Sequence, residues 1–150
     1  MKAEMTRETD EQQIRSLIDS QTAALSGKQV EGAIGVYAKD NVMYTLAPPL
    51  KPGNRDELTA TQAVQQWFDT WDGPIRYETE DLKITVSGDL AFSTGLFRMI
   101  GDQNGEHVDM WFRRTLVFQR MDGEWKIVHD HESVPFYMDG SGRAATDLKP

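Results

Sequence analysis

The sequence predicts an α+β domain in which three N-terminal helices pack on one curved, mostly antiparallel sheet. Apolar residues recur at helical spacing in the first half of the chain, and from Ile75 onward they recur with a period of two. The 150 residues suit a single domain with one hydrophobic core. We therefore expect the sheet to cover the apolar faces of the helices and to leave a pocket at its open end.

The first helix is predicted to begin at the capping box Thr9-Asp10-Glu11-Gln12 and to end before Gly27. Its apolar stripe consists of Ile14, Leu17, Ile18, Gln21 and Leu25. A short second helix is expected from Gln29 to Ala38. A strand from Asn41 to Leu46 follows it.

A third helix follows a proline-rich segment that cannot continue the strand, because proline removes backbone hydrogen-bond donors. We expect this helix to start at the capping pair of Asn54 with Glu57 and to end at Asp72-Gly73-Pro74. Its apolar face carries Leu58, Thr61, Val64, Trp67, Phe68 and Trp71.

Four long segments of period two follow Ile75, separated by short turns at Ser87-Gly88-Asp89, Gly101 to Gly105 and Met121 to Glu124. Strands joined in this way form an antiparallel meander. The last residues, Asp139 to Pro150, are polar and glycine-rich and predict a mobile tail, so the domain core is expected over residues 10–138.

Charge and composition exclude several classes of function. The net charge of −8 argues against binding to nucleic acid or to an anionic membrane, since both need clustered Lys and Arg. The absence of cysteine excludes disulfide scaffolds, thiolate metal sites and cysteine nucleophiles. The chain contains neither a signal-peptide pattern nor a long apolar run, so we expect a cytoplasmic protein.

A candidate site emerges from side chains that share strand faces. Alternation places one polar set on a single face of the third segment: Asp109, Trp111, Arg113 and Thr115. It places a second set on a single face of the fourth segment: His129, His131 and Ser133. The turn at Asp122-Gly123 brings these two strands side by side. We assign the shared face to the concave side of the sheet, where it would line the pocket.

The chemistry of this patch suits proton transfer at a small molecule. His129 or His131 would move the proton, Arg113 would stabilise an oxyanion, and Asp109 would orient a histidine. The expected substrate-binding residues are Trp111, Thr115, Ser133, Tyr44, Trp67 and Trp71. Two alternatives stay open, namely binding without turnover and purely structural roles, in which Arg113 forms an ion pair and the two helical tryptophans belong to the core.

The pattern His129-Asp130-His131 also permits a metal hypothesis, because both imidazoles point the same way, but Asp109 or His107 would have to supply a third ligand. The segment Gly140 to Ala145 matches a dinucleotide fingerprint without the βαβ unit that it requires, so we treat it as a chance match. We expect no cofactor and no resident metal.

The opposite face of the last two strands is too apolar to contact water, since it carries Met110, Phe112, Leu116, Phe118 and Val128. No further segment of the chain is left to cover it. A second copy packing sheet against sheet is therefore expected, giving a homodimer through the outer sheet face. Arg114 would face Asp130 or Glu132 on this surface.

Two stretches carry a resemblance to a known superfamily. They are Tyr37-Ala38-Lys39-Asp40-Asn41-Val42 after two helices, and the run Asp122 to Ser133 in the last hairpin. In this order of elements the chain resembles the nuclear transport factor two-like superfamily, and within it the bacterial SnoaL-like proteins. The resemblance spans about Glu11 to Met138. It implies a cone-shaped domain that hosts isomerases, cyclases, dehydratases or non-catalytic association domains.

Members with known chemistry set the expectations for the site. Alignment with ketosteroid isomerase places its catalytic base at Thr45 or Leu46 and its oxyanion groups near Ser20 and Thr115, so those catalytic groups are missing here. Similarity to the polyketide cyclases implies Asp109 as the acid/base. The resemblance thus implies a cofactor-independent small-molecule protein, with a non-catalytic binding or association module as the alternative.

Overall fold

The structure, a computed structural model, describes residues 2–52 and 57–150. Its elements are the helices α1 (Lys2–Ser26), α2 (Val30–Ile34) and α3 (Glu57–Asp69), and the strands β1 (Tyr37–Tyr44), β2 (Arg76–Ser87), β3 (Leu90–Gln103), β4 (Glu106–Met121) and β5 (Glu124–Ser133). The predicted α+β class is confirmed. No helix in these residues is both long enough and apolar enough to cross a membrane.

The five strands form one open sheet in the order β1-β5-β4-β3-β2. Strands β2 to β5 are an antiparallel meander as predicted, and β1 joins β5 in parallel at the edge. The turns Asn104-Gly105 and Asp122-Gly123 have positive φ at both residues, which is the geometry of tight hairpins. These short turns set the register of β3 with β4 and of β4 with β5.

The helix ends differ from the prediction for local reasons. Helix α1 starts seven residues before Thr9, whose hydroxyl donates to the carbonyl of Met5 one turn earlier instead of capping the helix. The second helix ends at Ile34 because the following backbone pairs with β5, where the amide of Ile127 donates to Val36 O at 2.9 Å. The predicted cap Asn54 lies outside the described residues.

The two faces of the sheet are the reverse of the predicted assignment. Leu116 and Phe118 of β4 are fully buried, in one core with Ile14 and Ile18 of α1. The face with the predicted site residues therefore points away from the helices. The apolar face is covered by this chain's own helices, so the expected cover by a second copy is wrong for that face. An apolar strand face packs on the amphipathic helices that need burial themselves.

A β-bulge in β5 explains part of the reversal. Val117 pairs with His129 whereas the next residue, Phe118, pairs with Ile127, so Val128 is an extra residue in β5. Ile127 consequently shares the inner face with Asp130, and both are buried. Strict alternation had placed Ile127 with His129.

Residues 134–150, which include the tail predicted to be mobile from Asp139 to Pro150, fold back across the outer face of the sheet. We call this segment the C-terminal arm. The amide of Ala145 donates to Pro135 O, and that of Tyr137 donates to Arg143 O, both at 2.8 Å. Ala145 is 3% exposed. The arm thereby covers part of the surface that the predicted site residues occupy.

Substitutions at two adjacent residues of β4 test the face assignment. Leu116→Ala should lower the free energy of unfolding by about 2–5 kcal/mol, because it leaves a cavity in the core. Thr115→Ala on the outer face should change it by less than about 1 kcal/mol. Urea denaturation of both variants measures the difference, and equal losses would contradict the assignment.

Candidate functional site

A polar cluster lies in the middle of the core and joins four elements. It consists of Gln21 from α1, Tyr37 from β1, Arg114 from β4 and Asp130 from β5. Arg114 is 5% exposed and Asp130 is 1% exposed. Charged residues are almost never buried to this degree unless they are paired. The cluster is therefore the first place to look for a functional or structural constraint.

Arg114 and Asp130 form a bidentate ion pair. Nε of Arg114 donates to Oδ1 of Asp130 at 3.1 Å, and Nη2 donates to Oδ2 at 2.8 Å. Nη2 also donates to Oε1 of Gln21 at 2.8 Å. The hydroxyl of Tyr37 donates to Oδ2 of Asp130 at 2.6 Å and accepts from Nε2 of Gln21 at 3.0 Å. Every acceptor of Asp130 thus has a donor.

A buried ion pair is stable only when its charged atoms are fully hydrogen-bonded, because removing the two charges from water costs several kcal/mol per ion. Burial by itself lowers the pKa of the Arg114 guanidinium, but the charge and hydrogen bonds of Asp130, together with the nearby Tyr37 and Glu132, hold that pKa well above its usual value. Burial and the charge of Asp130 likewise raise the pKa of Tyr37. The guanidinium of Arg114 therefore stays charged, and the hydroxyl of Tyr37 stays protonated.

Glu132 lies beside this cluster on the same inner face. It is the register partner of Arg114 across the β4–β5 ladder, and directly opposed residues project to the same side of a sheet. Desolvation, reinforced by the charge of Asp130 and opposed by that of Arg114, raises the pKa of the Glu132 carboxyl to about 7. Its side chain is only half-buried. Glu132 can thus exchange a proton near neutral pH with a molecule that reaches it.

Two hydrogen-bond donors near Glu132 have no partner among the described residues. One is the hydroxyl of Tyr77 in β2, whose pKa burial and the charge of Glu132 raise. The other is Nη1 of Arg114, since the recorded bonds of that guanidinium use Nε and Nη2. The Glu132 carboxyl also has no recorded hydrogen bond. Three polar groups therefore converge without satisfying one another.

Apolar residues surround these groups. The core that packs around them includes Trp67, Phe97, Met99, Met110 and Phe112. We call the region between α3 and the inner face of the sheet the cone interior. Unpaired donors and a carboxyl in apolar surroundings act strongly on a bound polar atom, because the local dielectric is low. The arrangement can accept a proton at Glu132 while donating hydrogen bonds to a developing oxyanion.

The predicted site residues gather on the outer face instead. Arg113, Thr115, Ser133 and His131 are neighbours across β4 and β5, and Nε of Arg113 donates to Oγ of Ser133 at 3.1 Å. The rings of His129 and His131 pack edge-on against Tyr44, with centroids 5.4 and 5.2 Å from it. The structure thus brings this part of the set together, but away from the cone interior.

The remaining predicted residues lie elsewhere. Asp109 forms a bidentate pair with Arg98 at 2.8 Å for both contacts, so it does not orient a histidine. The Arg98 guanidinium also lies over the indole of Trp111, with its central carbon 5.7 Å from the ring centroid. Trp67 and Trp71 pack edge-to-face in the core, with ring centroids 5.7 Å apart. The alternative that these two tryptophans belong to the core therefore applies, not the role in substrate binding.

The geometry does not assemble the third metal ligand that the histidine pair needs. His107 lies in the β3–β4 hairpin, where its Nδ1 is 3.0 Å from Oδ1 of Asp102, and Asp109 is held by Arg98. Across residues 2–52 and 57–150, no three His, Asp or Glu side chains are grouped to hold an ion.

Sequence reasoning missed Glu132, Tyr77 and the Arg114–Asp130 pair as a site. The signal was present in β4, because Met110, Phe112, Leu116 and Phe118 are the more apolar set and should therefore have been placed against the helices. Arg114 belongs to that set. The alternation of β5 also places Asp130 and Glu132 opposite Arg114, but that face was assigned to a second copy. The bulge at Val128 changes the faces of Trp125 and Ile127 only.

Comparison with known proteins agrees with this architecture. The model of the SnoaL-like domain family matches residues 14–137. This range contains every residue of the polar cluster as well as Glu132 and Tyr77. Among curated proteins, no sequence matches the chain.

Solved structures share the fold over nearly the whole chain. An NTF2-like protein of unknown function from Pseudomonas putida KT2440 has a TM-score of 0.83 and 28% identity, covering 95% of this chain and 98% of that one. A candidate scytalone dehydratase from Novosphingobium aromaticivorans has a TM-score of 0.72 and 14% identity, covering 94% and 96%. A candidate association domain of calcium/calmodulin-dependent protein kinase II from Xanthomonas campestris has a TM-score of 0.67 and 21% identity, covering 80% and 84%.

Glu132→Gln should stabilise the protein at alkaline pH. The carboxyl protonates near 4.5 in the unfolded chain and near 7 in the folded one, so the folded state binds more protons between these values and stability falls as the pH rises. At pH 8 the variant should unfold with about 1–3 kcal/mol more free energy than wild type, allowing for partial solvent contact. At pH 4.5 the two should be nearly equal.

Chemical denaturation at both pH values measures this difference. Glu124→Gln is the matched control, because Glu124 lies on the same strand with its carboxylate exposed beside Lys126. A gain for Glu132→Gln that is the same at pH 4.5 and pH 8 would show that burial does not perturb this carboxyl.

Proposed function

Since the chain belongs to the SnoaL-like domain family, we propose that it binds a small molecule in the cone interior and transfers a proton there through Glu132. The reaction class is that of a cofactor-independent isomerase, cyclase or lyase. The substrate class is a carbonyl compound with an acidic proton beside the carbonyl and an apolar body. Each part of this proposal rests on a different feature of the site.

The observation that carries the proposal is the state of Glu132. A general base works best when its pKa lies near the working pH, and burial raises the pKa of Glu132 to about 7. Its carboxyl has no recorded hydrogen bond in the described part of the chain, although it lies next to a densely bonded network. A carboxyl that had only a structural role would be bonded like that of Asp130.

The proposed step moves one proton and one electron pair. The ionised carboxylate of Glu132 removes the proton on the carbon beside the carbonyl. The C–H electron pair forms a carbon–carbon double bond, and the carbonyl π pair moves onto oxygen. The hydroxyl of Tyr77 and Nη1 of Arg114 donate hydrogen bonds to this oxyanion. The protonated Glu132 then returns the proton at another carbon, which gives an isomer, or to a leaving hydroxyl group, which gives elimination.

The aromatic residues of the cone interior support an apolar substrate. Phe97 and Phe112 pack 6.0 Å apart by ring centroids, and the Arg114 guanidinium lies 5.1 Å from the ring centroid of Phe97. Both rings are buried, so a substrate would bind from the partly exposed edge at Glu132 and Tyr77 and would have to displace core side chains to contact them.

The outer face holds a second proposed proton-transfer set, in which His129 or His131 acts with Arg113. We favour Glu132 for two reasons. Asp109, the acid expected to orient a histidine, is paired with Arg98. Nδ1 of His129 lies 2.7 Å from Val42 O and is therefore the protonated donor to that carbonyl. The outer face thus lacks the acid that the histidine mechanism needs, and one ring nitrogen of His129 is already bonded.

An association module is the second candidate function. It is favoured by large apolar side chains that the outer face leaves exposed, among them Val42 at 41% and Phe92 at 46%. The structural relative from Xanthomonas campestris is named for an association domain. In this case the outer face would join two copies as a homodimer in the cytoplasm, and the cone interior would bind a ligand without turning it over.

Hydrogen–deuterium exchange tests the catalytic proposal without knowledge of the substrate. Aryl and polycyclic ketones are incubated with the protein in D2O, and loss of the α-proton signal is followed by 1H NMR. The wild-type protein should accelerate exchange in at least one of them. Glu132→Gln should lower that rate by about 10²–10⁴-fold, and Glu124→Gln should leave it unchanged.

Two outcomes count against the proposal. Equal exchange in wild type and Glu132→Gln would show that another group moves the proton. No acceleration by the wild-type protein over the whole panel would contradict catalysis on enolisable ketones and favour the association module.

A further inference from the structure

A small cavity on the outer face lies between the C-terminal arm and the sheet. Its floor is formed by Leu96 of β3 and Trp111 of β4, and its roof by Ala145 and Leu148 of the arm. It lies on the opposite side of the sheet from Glu132. Nothing in the proposed proton transfer uses it.

The cavity has the size and lining for a benzene-sized group. Its volume is ≈ 160 Å³, and most of its lining is apolar. The cavity is open to solvent along one side, so a ring bound there keeps one edge in contact with water. The indole of Trp111 supplies a flat face for such a ring.

One end of the cavity carries positive charge without a matching acid. Arg113 lines it, and the recorded hydrogen bond of this exposed side chain goes from Nε to Ser133, a neutral partner. Among the described residues, Arg113 forms no ion pair. Lys149 lies at the rim, and its charge acts on Asp109, an acid already paired with Arg98.

The terminal nitrogens of Arg113 are therefore free to bind a planar anion. A guanidinium presents parallel N–H groups that match the two oxygens of a carboxylate. Arg113 and Trp111 are two residues apart on β4 and therefore project from the same face, about 6–7 Å apart. This separation matches the length of a benzene ring with its carboxylate.

We propose that the cavity under the C-terminal arm is a binding site for a small aromatic carboxylate. The ring lies on Trp111 beneath Leu148, and the carboxylate accepts hydrogen bonds from Arg113, with Lys149 adding positive charge. Contact with Ala145 and Leu148 means that binding also holds the arm against the sheet. The proposal does not rest on the proposed function, because the cavity lies on the opposite side of the sheet from Glu132, although Phe112 of β4 borders both.

Titration with benzoate tests the site, with 1H–15N NMR of the indole groups as the readout. The chain has four tryptophans, of which Trp67, Trp71 and Trp125 pack in the core on the helix side of the sheet. Benzoate should shift the indole signal of Trp111, assigned by its loss in Trp111→Phe. The dissociation constant follows from the same titration.

Charge recognition is tested with one variant and one ligand analogue. Arg113→Gln should weaken benzoate binding at least about tenfold, and benzamide, which has the same ring without the charge, should bind wild type at least about tenfold more weakly than benzoate does. Arg76→Gln is the matched control, since Arg76 is an exposed arginine paired with Glu78 at 3.4 Å. It should bind benzoate as wild type does.

Four results would overturn the proposal. They are the absence of saturable benzoate binding by the wild-type protein, equal affinity in Arg113→Gln, equal affinity for benzamide, and a shift of the Trp67 signal in place of Trp111, which would locate the ligand in the cone interior. Since Arg113 is exposed, its replacement leaves the core intact, and circular dichroism confirms that each variant is folded.

Discussion

The buried ion pair between Arg114 and Asp130 is the constraint on which the rest of the structure depends. Its bidentate geometry fixes β4 against β5, and the bonds to Gln21 and Tyr37 attach α1 and β1 to the same point. Removing either charge would leave the other buried and unpaired, at a cost of about 3–5 kcal/mol. The pair therefore decides which face of the sheet meets the helices. Residues at every second position from Arg114 along β4 therefore face the helices as well.

The same pair creates the reactive environment beside it. Asp130 is satisfied by Arg114 and Tyr37, so its negative charge is fixed within the core and opposes ionisation of Glu132 two residues later. Arg114 uses Nε and Nη2 for the fold and leaves Nη1 for a ligand. One guanidinium thus serves stability and the proposed chemistry at once. On the outer face, Arg113 has no such partner, which is why it can serve a separate anion.

The sequence predicted the architecture well because hydrophobic periodicity and turn residues are local signals. The four long strands, their hairpins and the helical half of the chain follow from them, as does the resemblance to the SnoaL-like proteins. The candidate site was less predictable. It depends on a long-range pairing of Gln21 with Arg114, which leaves no local pattern, and on which face of the sheet meets the helices. The apolar character of Leu116 and Phe118 was visible, but it was explained by a second copy instead of by α1.

The most direct test of this account is the pKa of Glu132 in the folded protein. 13C NMR of the glutamate side-chain carboxyls, with Glu132 assigned from the signal that Glu132→Gln lacks, follows its protonation as the pH changes. The account predicts a midpoint of about 7, because the carboxyl is desolvated beside Asp130. A midpoint near the ordinary value of 4.5 would contradict it, since Glu132 would then be a solvated carboxylate with no special capacity for proton transfer at neutral pH.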